Sequence, residues 1–378
     1  MKLISDRKSN SNTPLTTKPS PKLSPSLSPA AILAHSSIKR IDVHHHYFPS
    51  DLKKSKANSK IGWKTPEGNL PWSPSTSLAA MDAMSIDLSI LSFPPIPSGS
   101  IGKIDRASAR SRNEYAAQIC RDHLFPVPRF GFFATLPFLD DVEGCLEEIR
   151  YTFDQLGAFG VSIASCYGEG KSAKYVGHET YLPIWAELNR RKAVVFLHGA
   201  QVPSSTPYPH EFLGIPVTES PNETLKAAAH LVVTQNRRIY PNVKIILAHL
   251  GGTTPFLACR VAVLSNHMGC ALTPEEILED FKTFYYETAL SAYETNLLAI
   301  DSFVEHDHVL FGTDFPAVSR DMSNWYTNNL EMHYANDKIK LQRIMRDNAV
   351  KLFTETTNNP LSEEDTPEKE QKGDHDNY

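Results

Sequence analysis

Residues 41–46 read IDVHHH and place three consecutive histidines at the end of a short, apolar, β-branched run. Side chains alternate between the two faces of a strand, so His44 and His46 point to one side and His45 points to the other. Two imidazoles on one face, two residues apart, can reach the same metal ion. A chance run of histidines on a surface strand would give the same letters, so this motif alone does not decide between the two.

Three further polar residues end apolar runs elsewhere in the chain. His198 follows Val-Val-Phe-Leu, His249 follows Ile-Ile-Leu-Ala, and Asp314 follows Phe-Gly-Thr. A single histidine at a strand end is usually a satisfied core residue, but packing does not explain four strand ends that all carry His or Asp. These residue types are ligands of divalent metals. The sequence therefore predicts metal-dependent chemistry where the strand ends meet.

These residues lie within a repeating pattern along the chain. Short β-branched or aromatic runs, typical of strands, alternate with segments whose apolar residues recur at the period of a helix. Alternation repeated eight times predicts a parallel (β/α)8 barrel, a TIM-like fold whose catalytic groups gather at the C-terminal ends of the strands. The predicted strands are residues 38–44, 88–93, 129–134, 160–164, 193–198, 243–249, 283–288 and 308–314.

The barrel is predicted to occupy residues 38–354 as one domain. Residues 47–76 form a long connection rich in Pro, Ser and Lys after the first strand, where a lid or insertion over the site is expected. Residues 1–37 are rich in Ser and Pro, and residues 355–378 are acidic. Both ends are predicted to be disordered tails.

Composition excludes several classes of protein. A net charge of -5 and a pI near 6.3 give no electrostatic case for nucleic-acid binding, and no apolar run approaches the roughly 20 residues that span a bilayer. The five cysteines include no CxxC pair, which predicts reduced thiols and no disulfide framework. The N-terminus lacks the apolar core of a secretory signal. We expect a cytoplasmic protein without nucleic-acid or membrane partners.

The motifs IDVHHH, FLH, LAHLGG and FGTDFP, with DNAVKLF near the end, resemble the amidohydrolase superfamily. Within it they resemble the branch of aminocarboxymuconate-semialdehyde-decarboxylase-like proteins, over about residues 39–353. The segments FGFFATLP and WAELNRRKAVVFLH are closer still to fungal 6-methylsalicylate decarboxylases.

The resemblance implies a role for each motif residue. His44, His46 and His198 match the histidine ligands of the metal, and Asp314 matches its carboxylate ligand. His249 matches a histidine near the metal that activates water. The fourth strand has no lysine of the kind that bridges two metals in binuclear members, so one divalent ion is implied, with zinc expected and manganese as the alternative.

Arg260 stands eleven residues after His249. In the semialdehyde decarboxylases the matching arginine reaches the neighbouring subunit's site and holds the substrate carboxylate. The resemblance therefore implies a homodimer in which Arg260 binds substrate. An interface salt bridge is the alternative role for this arginine.

The implied reaction is non-oxidative decarboxylation of a small phenolic or aromatic acid, with 6-methylsalicylate giving 3-methylphenol (m-cresol) in polyketide secondary metabolism as the expected case. The metal would orient the carboxylate and the ortho hydroxyl, and protonation of the ring carbon would allow CO2 to leave. The proton donor is either Asp314, which we favour, or water poised by His249. Candidates for an aromatic wall, chosen by their position after the first two strands, are Phe48, Trp63, Trp72 and Phe93.

Two other functions remain open from the residues. The same ligands could activate water for a hydrolase of a lactone or an amide, and spacing alone does not separate the two reactions. A barrel that has lost activity could serve as a binding protein, although the retention of five site residues argues against this. An assay distinguishes the two enzymes: a decarboxylase releases CO2 from hydroxybenzoic acids, whereas a hydrolase cleaves a lactone or an amide without CO2.

Overall fold

The computed structural model describes residues 27–49, 52, 62–94, 96–168, 170–200 and 210–357. In these ranges, eight strands form one parallel sheet whose order follows the chain. The strands are β1 (Ile41–His46), β2 (Leu88–Ser92), β3 (Phe130–Thr135), β4 (Gly160–Ala164), β5 (Val194–His198), β6 (Lys244–Leu247), β7 (Tyr285–Glu287) and β8 (Val309–Leu310). A separate antiparallel pair joins Cys166–Tyr167 to Lys174–Tyr175.

Helices lie between the strands and cover the sheet. They are α1 (Pro29–Leu33), α2 (Pro74–Ala83), α3 (Lys103–Asp122), α4 (Val142–Tyr151), α5 (Leu182–Arg190), α6 (Ile215–Val233), α7 (Asn236–Ile239), α8 (Thr254–His267), α9 (Pro274–Lys282), α10 (Glu294–Phe303), α11 (Arg320–His333), α12 (Lys338–Gln342) and α13 (Asn348–Thr357). Wider helical turns extend α4 over Thr152–Leu156 and join α12 to α13 over Arg343–Asp347, and short 3-10 turns occupy Glu67–Asn69, Gly170–Ser172, Glu179–Tyr181 and His306–His308.

The sheet closes through the residues that follow β8. The backbone N–H of Val43 donates to the carbonyl of Phe311 at 3.0 Å, and that of His46 donates to the carbonyl of Phe315 at 2.7 Å. These bonds pair the segment after β8 with β1. The predicted (β/α)8 TIM-like barrel is confirmed.

Strands β6 and β8 end before the polar residue that was predicted to close each of them. β6 ends at Leu247, before His249, and β8 ends at Leu310, before Asp314. The φ angles of His249 (59°) and Asp314 (62°) are positive, which a strand cannot accommodate. Both residues therefore lie on turns that directly follow their strands.

The N-terminal mouth of the barrel is covered by α1, inside the region predicted to be a tail. The hydroxyl of Ser28 accepts from the backbone N–H of Ala31 and caps the helix, and Ile32 and Leu33 are buried in the same cluster as Phe353 of α13. The tail prediction fails over residues 27–37, because two large apolar side chains follow a Ser-Pro helix start. Residues 1–26 and 358–378 lie outside the described part of the chain.

The barrel interior is packed beneath its C-terminal mouth. The rings of Phe133 and Phe196 stack with centroids 5.5 Å apart, and Phe196 also meets His44 edge-on at 4.9 Å. The histidines of β1 therefore rest on an aromatic floor that contributes apolar burial and restricts their rotation.

Described parts of the predicted insertion, residues 47–76, bind the loop after β8. The indole N–H of Trp63 donates to the carbonyl of Ala317 at 3.0 Å, and the amide of Asn69 donates to the carbonyl of Pro316 at 3.0 Å. Within this insertion, residues 50, 51 and 53–61 lie outside the described part. A lid over the site stays a prediction.

The five cysteines are free thiols. No described helix combines the length and the apolar character that a membrane span requires.

Candidate metal centre

Side chains from four segments of the barrel converge at its C-terminal mouth. The Nε2 atoms of His44 and His46 lie 3.1 Å apart, and Oδ1 of Asp314 lies 3.3 Å from the first and 3.2 Å from the second. Ligand atoms of His44, His46 and His198 lie within 4.8 Å of one another, as do those of His44, His249 and Asp314. None of the five is more than 9% exposed. The structure thus brings together every predicted metal-site residue.

In each of the four imidazoles, Nδ1 makes a hydrogen bond to an oxygen atom on the side of the ring opposite Nε2. The partners are Oε1 of Glu287 for His44 (2.7 Å), the carbonyl of Ser92 for His46 (3.2 Å), the carbonyl of Gly199 for His198 (2.9 Å) and the carbonyl of Ala289 for His249 (3.0 Å). Nδ1 of His46 also lies 3.0 Å from the hydroxyl of Ser92, which can donate or accept. The four oxygens above only accept, so Nδ1 carries the hydrogen. The lone pair of a neutral ring is then on Nε2, which is the tautomer a metal ligand needs.

The surroundings of Oδ1 of Asp314 show whether a metal ion fits the cluster. Its Oδ1 is buried and faces Nε2 of His44 at 3.3 Å and Nε2 of His46 at 3.2 Å, where a neutral ring with its hydrogen on Nδ1 offers a lone pair and no hydrogen. A buried carboxylate oxygen that faces two lone pairs is costly, and a proton on one ring or a cation between these atoms would remove that cost. Imidazole nitrogens with one carboxylate oxygen suit zinc, and manganese also accepts this set. The cluster therefore fits a divalent metal ion.

The pKa values of the cluster residues also favour a bound cation. Burial alone would lower the pKa of His44, but the carboxylates of Glu287 and Asp314 outweigh it and raise the pKa to about 10. Burial alone would raise the pKa of Asp314, but the imidazoles of His44 and His46 hold it well below its usual range. Burial and the surrounding imidazoles hold the pKa of His198 well below its usual value. Without an ion, the positive charge at this point is a proton on His44, which a metal would displace.

Glu287, at the end of β7, was not among the predicted site residues. Its carboxylate is fully buried and accepts from Nδ1 of His44 and from the backbone N–H groups of His249 (2.5 Å) and Ala289 (2.7 Å). A Cβ on Gly312 would lie 2.2 Å from its Oε2, which explains the glycine of the FGTD motif. The sequence signal was a charged residue closing the buried run Phe-Tyr-Tyr.

A second buried carboxylate fixes the turn that carries Asp314. Oδ1 of Asp42 accepts from the backbone N–H of Thr313 (3.1 Å), and Oδ2 accepts from its hydroxyl (2.6 Å) and from Nδ1 of His45 (3.0 Å). Nε2 of His45 meets the hydroxyl of Ser77 at 2.8 Å, on the side away from the metal ligands. The prediction that His45 points away from His44 and His46 holds, and His45 ties β1 to α2.

The LAHLGG segment turns sharply so that His249 can face the site. Its residues His249, Leu250, Gly251 and Gly252 all have positive φ. A Cβ on Gly252 would lie 2.0 Å from the carbonyl oxygen of Pro221 in α6. Both the backbone conformation and this close approach therefore require glycine at position 252.

We expect Gly252→Ala to lower the free energy of unfolding by at least about 3 kcal/mol, because it combines left-handed strain with a backbone clash. Gly269→Ala is the matched control, since Gly269 also has positive φ but no atom lies within 4 Å of its added Cβ. Denaturant unfolding of both variants measures the difference. Equal losses would show that the contact with Pro221 contributes nothing.

The other predicted residues are placed as follows. Phe93 lines a cavity at the mouth of the barrel, and Phe48 and Trp72 are buried in the cluster outside the sheet. Trp63 is half-buried against the loop after β8, and Arg260 is exposed on α8. Of the proposed aromatic wall, Phe93 alone is among the residues lining that cavity.

Comparison with known proteins identifies the family. The amidohydrolase family profile matches residues 41–354, and these residues span all eight strands and the metal centre. The chain belongs to the amidohydrolase family. The predicted superfamily is thereby confirmed.

Curated relatives of this amidohydrolase include fungal decarboxylases. It is 37% identical to a 6-methylsalicylic acid decarboxylase of Penicillium expansum, over 80% of this chain and 93% of the relative. It is 36% identical to another from Aspergillus aculeatus, over 83% of this chain and 96% of the relative. The predicted likeness to the fungal group is also confirmed.

The fold is shared with solved structures. A dihydroxybenzoic acid decarboxylase from Polaromonas sp. JS666, solved with manganese and the inhibitor 2-nitroresorcinol, matches with a TM-score of 0.71 and 22% identity. The match covers 83% of this amidohydrolase and 96% of that chain. At this identity, the comparison supports the barrel fold.

Proposed function

We propose that this protein is a metal-dependent, non-oxidative decarboxylase of a phenolic acid, with 6-methylsalicylate as substrate and 3-methylphenol as product in polyketide secondary metabolism. The observation that carries the proposal is the convergence of His44, His46, His198 and Asp314, in which Oδ1 of Asp314 faces Nε2 of His44 and of His46 at 3.3 and 3.2 Å. The names of the fungal relatives support the choice of substrate.

In this proposal, the ligands of one divalent ion are His44, His46, His198 and Asp314. Such an ion supplies positive charge beside the carboxylate and the ortho hydroxyl of the substrate. The ring carbon bearing the carboxylate would take its proton either from Asp314, which must first be protonated because the imidazoles of His44 and His46 hold its pKa low, or from water poised by His249. When that C–H bond has formed, the C–C bond to the carboxylate breaks, its electron pair restores the aromatic ring, and CO2 leaves.

Zinc is the ion we propose, because imidazole nitrogens with one carboxylate are a common zinc ligand set. Manganese is the alternative and is supported by the manganese in the Polaromonas structure. Elemental analysis of protein purified without added metal, followed by reconstitution with each ion, separates the two by which ion restores activity.

We further propose a cytoplasmic homodimer in which Arg260 lies at the interface. Support comes from α8, where Arg260 is exposed beside the exposed apolar residues Phe256, Val263 and Leu264. Light scattering on the eluting protein measures the assembly. A monomer at micromolar concentration would contradict it.

The substrate proposal is tested in D2O with a panel of hydroxybenzoic acids, a lactone and an amide. We expect one CO2 per molecule of 6-methylsalicylate consumed, and 3-methylphenol that carries deuterium at the carbon that lost the carboxylate. Hydrolysis of the lactone or the amide without CO2 would favour the hydrolase. Binding of acids without turnover of any compound would favour the inactive barrel.

A further inference from the structure

A cavity of about 130 Å³ lies at the mouth of the barrel beside the ends of β2, β3 and β4. Its apolar wall includes the rings of Phe93, Phe138 and Tyr167. Benzene occupies an apolar cavity of about 150 Å³ in another protein, so a space of about 130 Å³ is close to the size of one six-membered ring. The wall favours an aromatic occupant.

The cavity also contains two buried polar atoms without partners. Nε of Arg112 and Oγ1 of Thr135 are buried and make no hydrogen bond within the described part of the chain. The guanidinium of Arg112 lies over the ring of Phe93, 4.1 Å from its centroid. Asp105 lines the cavity too, but its carboxylate accepts from the backbone N–H of Ser100, and no ion pair joins it to Arg112 among the described residues. Arg112 and Thr135 thus both line the cavity, and no described residue neutralises this cation or bonds this hydroxyl.

The two groups are held in a fixed relation to each other. Asn113, next to Arg112 on α3, donates to the carbonyl of Thr135 (2.8 Å) and accepts from its backbone N–H (2.7 Å). The hydroxyl of Tyr47, which follows β1, donates to the carbonyl of Arg112 at 3.2 Å. Helix α3 is therefore fixed to the ends of two strands, which reduces the entropy lost when a ligand is bound.

Strand register places this cavity next to the metal centre. Ala164 lines the cavity and pairs with His198 on the neighbouring strand, at the usual strand spacing of about 4.8 Å. Phe93 follows Ser92, whose carbonyl accepts from Nδ1 of His46. The cavity therefore borders the supports of two of the histidines in the cluster.

We propose that this cavity binds the aromatic ring of the substrate and that Arg112 and Thr135 bind its carboxylate. This inference rests on the proposed function for the identity of the acid. Arg112 supplies a charged donor and Thr135 a neutral one, so that one carboxylate oxygen can meet both while the ring lies against Phe93. Hydrogen bonds to charged groups are the stronger kind, and Arg112 contributes the larger share of affinity.

The test measures calorimetric binding of benzoate, salicylate and 3-methylphenol to the metal-loaded protein, together with the KM for 6-methylsalicylate. For Arg112→Ala, we expect both acids to bind about 10- to 100-fold more weakly and KM to rise by a similar factor, with 3-methylphenol unchanged, because it has no carboxylate. For Thr135→Val, we expect a loss of about 3- to 10-fold for the acids. Bound metal should equal that of the wild type.

Arg121→Ala is the matched control, because it removes an arginine from the same helix, where its guanidinium donates to Gln118 at the surface. The control should bind all three compounds as the wild type does. Unchanged acid affinity in Arg112→Ala, or equal weakening for 3-methylphenol, would overturn the inference even if CO2 is released. Acid binding that depends on Arg112 in a protein that releases no CO2 would support the inference and refute the proposed reaction. Should Arg112→Ala not fold, the Thr135→Val result decides.

Discussion

Replacing His198 with alanine is expected to reduce CO2 release from 6-methylsalicylate by at least about 1000-fold. His198 is one of three imidazoles whose ligand atoms lie within 4.8 Å of one another, and its low pKa keeps the ring neutral and able to bind a metal. Loss of several kcal/mol of charge stabilisation by a metal corresponds to this factor. Initial rates and elemental analysis of the purified variant measure both effects.

His267→Ala is the matched control, because His267 is exposed at the end of α8. It should keep its metal and its rate. If His198→Ala keeps wild-type metal content and turnover, then His198 is a core histidine, and the assignment of the metal centre is wrong.

Replacing Glu287 with glutamine is expected to weaken metal binding by about 10- to 100-fold while the protein stays folded. The carboxylate accepts from Nδ1 of His44 and from the backbone N–H groups of His249 and Ala289. A glutamine amide has only one accepting oxygen, so one of the two carboxylate oxygens is replaced by a donor. In either orientation of the amide a donor faces a donor, and the bond that orients His44 loses its negative charge even where the amide oxygen still accepts from Nδ1. Competition titration with a chromogenic chelator measures the affinity.

Asp280→Asn controls for the loss of a mostly buried carboxylate, since Asp280 pairs with Arg238 on the outside of the barrel. Its metal affinity should match the wild type. Wild-type metal affinity in Glu287→Gln would show that the orientation of His44 does not depend on this carboxylate.

The fold and the five residues of the cluster could be predicted because their signals are local. Alternating runs predicted eight strands, and strand alternation put His44 and His46 on one side and His45 on the other. Asp314 and His249 were expected at strand ends, although both occupy turns with positive φ. Those turns depend on contacts between distant segments, such as Asp42 with Thr313, and sequence spacing does not encode such contacts.

The supporting and cavity residues could not be found in the same way. Glu287 can accept a hydrogen bond from His44 because its strand lies near β1 in the closed barrel. Arg112 and Thr135 line the same cavity because Asn113 joins α3 to β3. Helix α1 was missed because low-complexity composition outweighed two apolar residues whose burial depends on α13. In each case the property depends on which segments meet, which only the folded chain determines.

The central claim is that one divalent ion bound at this cluster carries the decarboxylation of an aromatic acid. We would strip the metal with a chelator, titrate zinc or manganese back, and follow CO2 release from 6-methylsalicylate at each addition. We expect no release from stripped protein and a rise that levels off at about one ion per chain. Full release from metal-free protein would contradict a role for the ion.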